Sequence, residues 1–263
     1  MKTLSERLSI NQRHLRFVLD LFEVVIRSPG WTARMLANQT LQIRAQGTAK
    51  LCHGLIQINH EQLDPGFVRL GTEVGGAASV ALDKALIISR FCALLQPKQV
   101  LEIGTYRGGM TYHIARNSPE DCHIWTLDLA REKLTQLVDR MIGTDVDLAQ
   151  MDVDFVGEEW RDRCKEGKIE QLWGDSLSFD FAPLGPFELI YVDGSHARPW
   201  VDKDTENAFK LLAPTGAILW DDCLWSDVQR TLASYAAERS IYLFEDGHTA
   251  GYLQRDGEPV RLE

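Results

Sequence analysis

The chain has 263 residues, 44% of them apolar and 25% charged, enough to bury a substantial core and too balanced for a disordered chain. Its formal net charge of -10 argues against a nucleic-acid binder, which needs a basic face. No stretch approaches the roughly 18 uncharged apolar residues that span a bilayer, and the N-terminus lacks the apolar run and cleavage site of a signal peptide.

Charge is uneven. Residues 1–50 hold eight Lys/Arg and three Asp/Glu, a balance of +5, which leaves -15 on the remainder. Such an end is either a solvated helix face or a surface for an acidic partner or membrane. Five cysteines occur: Cys52, Cys92, Cys122, Cys164 and Cys223. Their odd number and the lack of a CxxC spacing argue against a disulfide framework or zinc site. A reducing cytoplasm fits that usage.

Residues 12–27 read as an amphipathic helix. Leu15, Val18, Leu19, Phe22, Val25 and Ile26 form one face, and Ser28-Pro29-Gly30 stops it. Weaker helical patterns follow near 31–46 and 49–58. Residues 1–63 are therefore an N-terminal helical segment, whose apolar face would meet a second subunit, as in a homo-oligomer, or the core. Residues 64–76, rich in Gly and Pro, are a linker loop, and 77–263 form the main domain.

A helix is expected from Ala77 to Leu95, ending before Pro97. Short apolar runs then alternate with helical segments. The expected strands are Val100–Ile103, His123–Leu127, Ile169–Trp173, Phe187–Val192 and Ala217–Trp220. Helices are expected over 109–117, 131–141, 199–212 and 227–238. Ile241–Phe244 and Ala250–Leu253 would be a closing pair of strands. Continuous apolar runs mark strands covered on both faces, and their alternation with helices implies a parallel sheet. The fold expected is a doubly wound, mostly parallel α/β sheet with an antiparallel C-terminal strand, preceded by N-terminal helices. Residues 143–168 are the least regular part, either a lid over a substrate or an exposed connection.

Val100-Leu101-Glu102-Ile103-Gly104-Thr105-Tyr106-Arg107-Gly108-Gly109 is a buried strand, a glycine turn and a helix start. Glycine lets the backbone turn sharply and approach a ligand. A dinucleotide loop wants GxGxxG, with its second glycine against the pyrophosphate. Tyr106 stands at that position, which disfavours a diphosphate and tolerates a phosphate-free nucleoside. Asp128, 24 residues after Gly104, ends the next strand, where a carboxylate can accept ribose hydroxyls.

Leu-Glu-Ile-Gly-Thr-Tyr-Arg-Gly resembles the first motif of class I S-adenosylmethionine methyltransferases, in the form found in catechol-type O-methyltransferases. The resemblance runs from about Ala77 to Leu253. It implies a Rossmann-like fold that binds S-adenosyl-L-methionine. It implies that Glu102, Gly104, Tyr106 and Gly108 line the methionine side of the cofactor and that Asp128 binds ribose. Gly174-Asp175-Ser176 is similar to the family's adenine segment, which implies cofactor contacts for Asp175 and Ser176. Met110 departs from the small polar residue common at its place.

Two more strands end in acids, at Asp193-Gly194-Ser195-His196 and at Asp221-Asp222. Asp193, Asp221 and Asp222 thus share the sheet edge where open α/β sheets bind ligands. Their mutual repulsion needs a cation, a proton or solvent, and hard oxygen ligands suit Mg²⁺ or another divalent cation. Such an ion would orient a substrate hydroxyl and favour its alkoxide. His196 can act as a base near neutral pH. Asp-Gly-Ser-His resembles the macrolide-sugar O-methyltransferases, which implies catalytic roles for His196 and Asp193. Asp222 departs from the Asn of the catechol-type pattern.

These features point to a metal-assisted O-methyltransferase acting on a hydroxylated small molecule, such as a sugar, a glycoside or polyketide, or a catechol-like phenol. The rivals are a metal-independent methyltransferase, a nicotinamide-dependent oxidoreductase and a non-catalytic binding subunit.

Overall fold

The computed structural model describes residues 56–58, 81–130, 133, 155–244 and 246–260. All of them belong to one unit, Leu51–Glu263. The helices expected over 12–27 and 31–46, the 64–76 linker, both domain boundaries and nearly all of helix 131–141 lie outside the described residues.

In chain order the elements are β1 (Ile56–Ile58), α1 (Leu82–Leu95), β2 (Gln99–Ile103), α2 (Gly109–Asn117), β3 (His123–Asp128), α3 (Glu158–Arg161) and β4 (Ile169–Trp173). There follow β5 (Phe187–Val192), α4 (Arg198–Leu211), β6 (Leu212–Trp220), α5 (Ser226–Ala236), β7 (Tyr242–Phe244), β8 (Ala250–Arg255) and β9 (Glu258–Pro259). The strands form one sheet in the order β1-β7-β8-β6-β5-β2-β3-β4, with β9 beside β8. Pairing is parallel from β6 through β5, β2 and β3 to β4. β8 runs antiparallel to both β6 and β7. The expected doubly wound α/β sheet with an antiparallel C-terminal strand is the fold observed.

The apolar runs explain the layering. Successive residues of a strand point to opposite faces. Val100, Leu189 and Ala217 pack with Ile87, Ile88 and Phe91 of α1 and Met110 and Ile114 of α2. Their neighbours Leu101, Ile190 and Ile218 pack with Val201 and Ala208 of α4 and Val228 and Leu232 of α5. Both faces of the central strands are therefore buried, each large aliphatic side chain contributing roughly 1.5–3 kcal/mol. Gln96 ends α1 in the left-handed region at φ 48°, just before Pro97.

Three expectations need correction. Ile56–Ile58, read as the end of a helix, is a strand paired in parallel with β7; three residues are too few for periodicity to discriminate. β6 starts at Leu212 rather than Ala217, since Pro214 and Gly216 interrupt the apolar pattern without ending the strand. β9 was not expected, being only two residues long, one of them a proline. Among the described residues no helix is long and apolar enough to cross a membrane.

The chain steps outward from β2 through β3 to β4, then returns to β5 on the other side of β2. The switch point therefore lies between the carboxyl ends of β2 and β5, where such sheets hold ligands.

Candidate active site

The glycine loop springs from that switch point. Asp193 N donates to Ile103 O at 2.8 Å, and Gly104 N donates to Leu127 O at 2.8 Å. Gly104 has φ 99°, and a Cβ there would lie 1.9 Å from the backbone oxygen of Asp193. The close approach that requires glycine is thus made to the neighbouring strand. Tyr106 also sits in the left-handed region, at φ 47°, a conformation that a non-glycine residue holds only when its surroundings fix it.

Residues 155–161 supply part of that fixing. Gly157 N donates to Tyr106 O at 2.8 Å and Glu159 N to Arg107 O at 2.9 Å. Trp160 packs on Gly108, where a Cβ would fall 2.4 Å from the indole Cδ1. The described end of the irregular 143–168 stretch is therefore a buttress for the loop. Arg107, the loop's cation, pairs with Glu158, which leaves the loop poorly equipped for a diphosphate.

Glu102 lies beneath the loop, fully buried. Its Oε2 accepts the hydroxyls of Thr111 at 2.5 Å and Thr126 at 2.6 Å. Oε1 has no partner among the described residues. Thr126 meets Thr105 hydroxyl to hydroxyl at 2.7 Å, and Gln171 Nε2 donates to Thr105 Oγ1 at 2.9 Å. Glu102 thus anchors the network under the loop. Burial pushes its carboxyl from 4.5 up to about 8, against the two threonine hydroxyls.

The sign of the pH effect follows. The unfolded chain ionises Glu102 near 4.5 and the folded chain only near 8, so stability is lost as pH rises through this window, by up to ~5 kcal/mol. Glu102→Gln mimics the protonated form. We expect this variant to lose most of that slope and to melt higher than the parent at about pH 8.5, where the parent bears the full cost. Thermal melts across pH check this; parallel curves for both proteins would refute it.

Asp128 reaches under the same loop. Its Oδ2 accepts Thr105 N at 3.0 Å and Tyr106 N at 2.7 Å, and its Oδ1 accepts Leu129 N at 2.7 Å. Burial raises its pKa while these three backbone donors oppose the rise. A carboxylate has about four acceptor positions, so capacity remains for hydroxyls. Gly174 N donates to Asp128 O at 2.9 Å, which sets the Asp175 segment beside it. Asp175 Oδ1 accepts Trp200 Nε1 at 2.8 Å and Leu177 N at 3.1 Å. Ser176 neighbours the fully buried Asp204, whose carboxyl burial pushes up to about 7.

The acids do converge. Asp193, His196 and Asp222 each offer an atom within 4.8 Å of the others. His196 Nε2 lies 2.9 Å from Asp222 Oδ2, and its ring stacks on Trp225 with centroids 5.1 Å apart. Asp222 occupies the left-handed region at φ 51°. Burial, with Asp221 and Asp222 close by, pushes Asp193 well above the usual carboxylate range. Burial acts on Asp222 in the same sense, but His196 and Lys84 outweigh it and hold its pKa low.

Lys84 is the residue that the sequence did not reveal. Its Nζ lies 2.7 Å from Asp221 Oδ1 and 3.0 Å from Asp222 Oδ1. Burial disfavours the ammonium, yet the three aspartates hold its pKa above the ordinary lysine value. Asp221 Oδ2 accepts Tyr191 OH at 2.8 Å, and its Oδ1 also accepts Asp222 N at 2.6 Å. Both oxygens of Asp221 and both of Asp222 are thus engaged within the protein. Hard divalent cations take six or more oxygens. Of the three aspartates expected as its ligands, Asp221 and Asp222 already receive the Lys84 ammonium, which occupies acceptor positions that such an ion would use.

The other tryptophans separate cleanly. Trp220 is core, donating to Thr205 Oγ1 at 3.1 Å, whereas Trp200 orients Asp175 and Trp225 walls His196. His113 is buried on α2, and burial lowers its pKa.

A family model described as a methyltransferase domain matches residues 101–223, from β2 to just past β6. No curated protein matches the sequence. The O-methyltransferase NovP is similar in fold, with a TM-score of 0.53 and 14% identity over 67% of this chain and 81% of that one. TomG from Streptomyces achromogenes, an O-methyltransferase involved in tomaymycin synthesis and solved with SAM, gives a TM-score of 0.48 and 17% identity over 74% of this chain and 96% of that one. An O-methyltransferase from Bacillus cereus gives a TM-score of 0.46 and 16% identity over 68% and 84%. At 14% identity the likeness to NovP speaks to the fold alone. The residues matched by that family model include the strands β2 to β6 that carry the site.

Proposed function

We propose that the chain is an S-adenosylmethionine-dependent methyltransferase that acts on a hydroxyl oxygen of a small molecule, with His196 as the base. The observation that carries the reading is the His196–Asp222 pair, 2.9 Å long, at the rim that also bears the glycine loop and Asp193. A carboxylate beside an imidazole fixes the ring and stabilises its protonated form. The stacked Trp225 supports a fixed ring plane.

When bound, S-adenosyl-L-methionine supplies an electrophilic methyl on a sulfonium. The residues do the rest. Asp128 would accept the ribose hydroxyls, Asp175 with Ser176 would meet the adenine, and Tyr106, whose backbone is held by Gly157, would shape the methionine side. Glu102 sets the loop from below. His196 would take the proton of the acceptor hydroxyl, whose oxygen would receive the methyl as the sulfonium leaves as the neutral thioether. Asp222 steadies the imidazolium until the proton leaves to solvent. Asp193 lies beside the imidazole as a carboxyl whose ionisation is disfavoured by burial and by Asp221 and Asp222.

A sugar, a glycoside or polyketide hydroxyl, or a phenol suits this chemistry. The four described cysteines are all unpaired, which supports a cytoplasmic setting. The test is transfer of labelled methyl to a panel of hydroxylated acceptors, against amine and carboxylate acceptors. Label on an alcohol or phenol is expected. Label confined to nitrogen or carboxylate acceptors would overturn the oxygen reading, and turnover of NAD(P) instead would overturn the class.

A further inference from the structure

The placement of Lys84 runs against local preference. It lies in the first turn of α1, where the helix macrodipole disfavours a cation. It is joined to Asp221 and Asp222 across 137 and 138 positions of sequence, by contacts of 2.7 and 3.0 Å, and its side chain is only 17% exposed. A lysine ordered in this way loses rotamer freedom and hydration, so the partner charges must hold it there. It faces the very groups whose crowding, read from the sequence, called for a cation.

The surrounding donors complete the picture. Asp221 receives Lys84 and Asp222 N on Oδ1 and Tyr191 OH on Oδ2, at 2.7, 2.6 and 2.8 Å. Asp222 receives Lys84 on Oδ1 at 3.0 Å, and its Oδ2 lies 2.9 Å from His196 Nε2. One ammonium thus bridges the two adjacent aspartates and leaves Asp222 with a single oxygen for His196. We infer that Lys84 is the resident cation of this site, standing where a divalent ion would otherwise be needed, and that it positions Asp222 for His196. Lys84 is a positioning residue: it acts through Asp222. The inference rests on the cluster itself and touches the proposed function only in how His196 is held.

Two consequences can be measured on the full chain. The parent should show no saturable Mn²⁺ binding by electron paramagnetic resonance, and chelator should leave methyl transfer unchanged. Lys84→Met keeps the stem and removes the charge. It should bind Mn²⁺ roughly a hundredfold more tightly than the parent, because a buried positive charge about 4 Å away no longer repels the ion. Asp222→Asn added to this variant should abolish the gain, and Lys84→Arg should remain without Mn²⁺. A merely structural lysine would destabilise the fold when replaced without creating a metal site. Mn²⁺ bound to the parent as tightly as to Lys84→Met, or a folded Lys84→Met that gains none, overturns the inference. If Lys84→Met does not fold, Lys84→Gln takes its place in the same titration with the same expected gain, and Mn²⁺ binding by the parent or by Lys84→Arg overturns the inference. S-adenosylhomocysteine affinity measured on the same samples tests the methyltransferase reading separately.

Discussion

Gly104→Ala is expected to destroy cofactor binding and to destabilise the domain by about 3 kcal/mol or more. The new methyl would lie 1.9 Å from the Asp193 oxygen and 2.5 Å from its carbonyl carbon. Both are backbone atoms of β5's exit, so no side chain can swing away. The residue also holds φ 99°, which alanine adopts only under strain. Relief requires the ends of β2 and β5 to part at the switch point. That movement shifts Tyr106, whose backbone is held by Asp128 and Gly157, and the acidic rim beyond Asp193. Thermal melts and calorimetric titration with S-adenosylhomocysteine check both halves. A variant that melts within a degree or two of the parent and binds equally well would show that the loop is not wedged as described.

The second large effect is on chemistry alone. His196→Ala should lower kcat by roughly 10²- to 10⁴-fold, the usual worth of a general base. S-adenosylhomocysteine affinity should stay within about twofold, since the cofactor contacts proposed here come from β2, β3 and β4 rather than from the imidazole. Removing the ring also removes the partner of Asp222 Oδ2 and the stack on Trp225, so a small loss of melting temperature should accompany it. Asp222→Asn should cost less, because the imidazole remains. An unchanged kcat in His196→Ala would assign the proton to another group.

Strands buried on both faces were legible, because their apolar runs leave little alternative. Ile169–Trp173 and Phe187–Val192 were anticipated to the residue, as was helix 109–117. Short or interrupted segments were not. Ile56–Ile58 carries no usable period, and Pro214 hides the first half of β6. The sequence also indicated that acids would meet at the rim, since parallel strands bring their carboxyl ends to one edge. What relieves their repulsion was not legible. Lys84 lies more than 100 positions away from Asp193, on a helix whose start shows only an ordinary Asp-Lys pair. Its one local oddity, a cation in a first helical turn, is too common to mark a site. Tyr191 was hidden in the same way, as one more apolar residue of a buried strand, until its hydroxyl was seen on Asp221.

The loop glycines teach a related point. Read alone, Gly104 and Gly108 suggested room left for a ligand. In the fold they make room for Asp193 and Trp160. Sequence spacing located the loop correctly; the partners that require its glycines come from distant segments.

The central claim is that the rim above β2 and β3 receives a phosphate-free nucleoside. Calorimetric titration of the full chain with S-adenosylhomocysteine, repeated with NAD(P) and with Asp128→Ala, tests it most directly. Saturable binding of S-adenosylhomocysteine near one per chain, lost in Asp128→Ala and absent for NAD(P), is the predicted result. Tighter binding of the dinucleotide, or heat from neither compound, would contradict it.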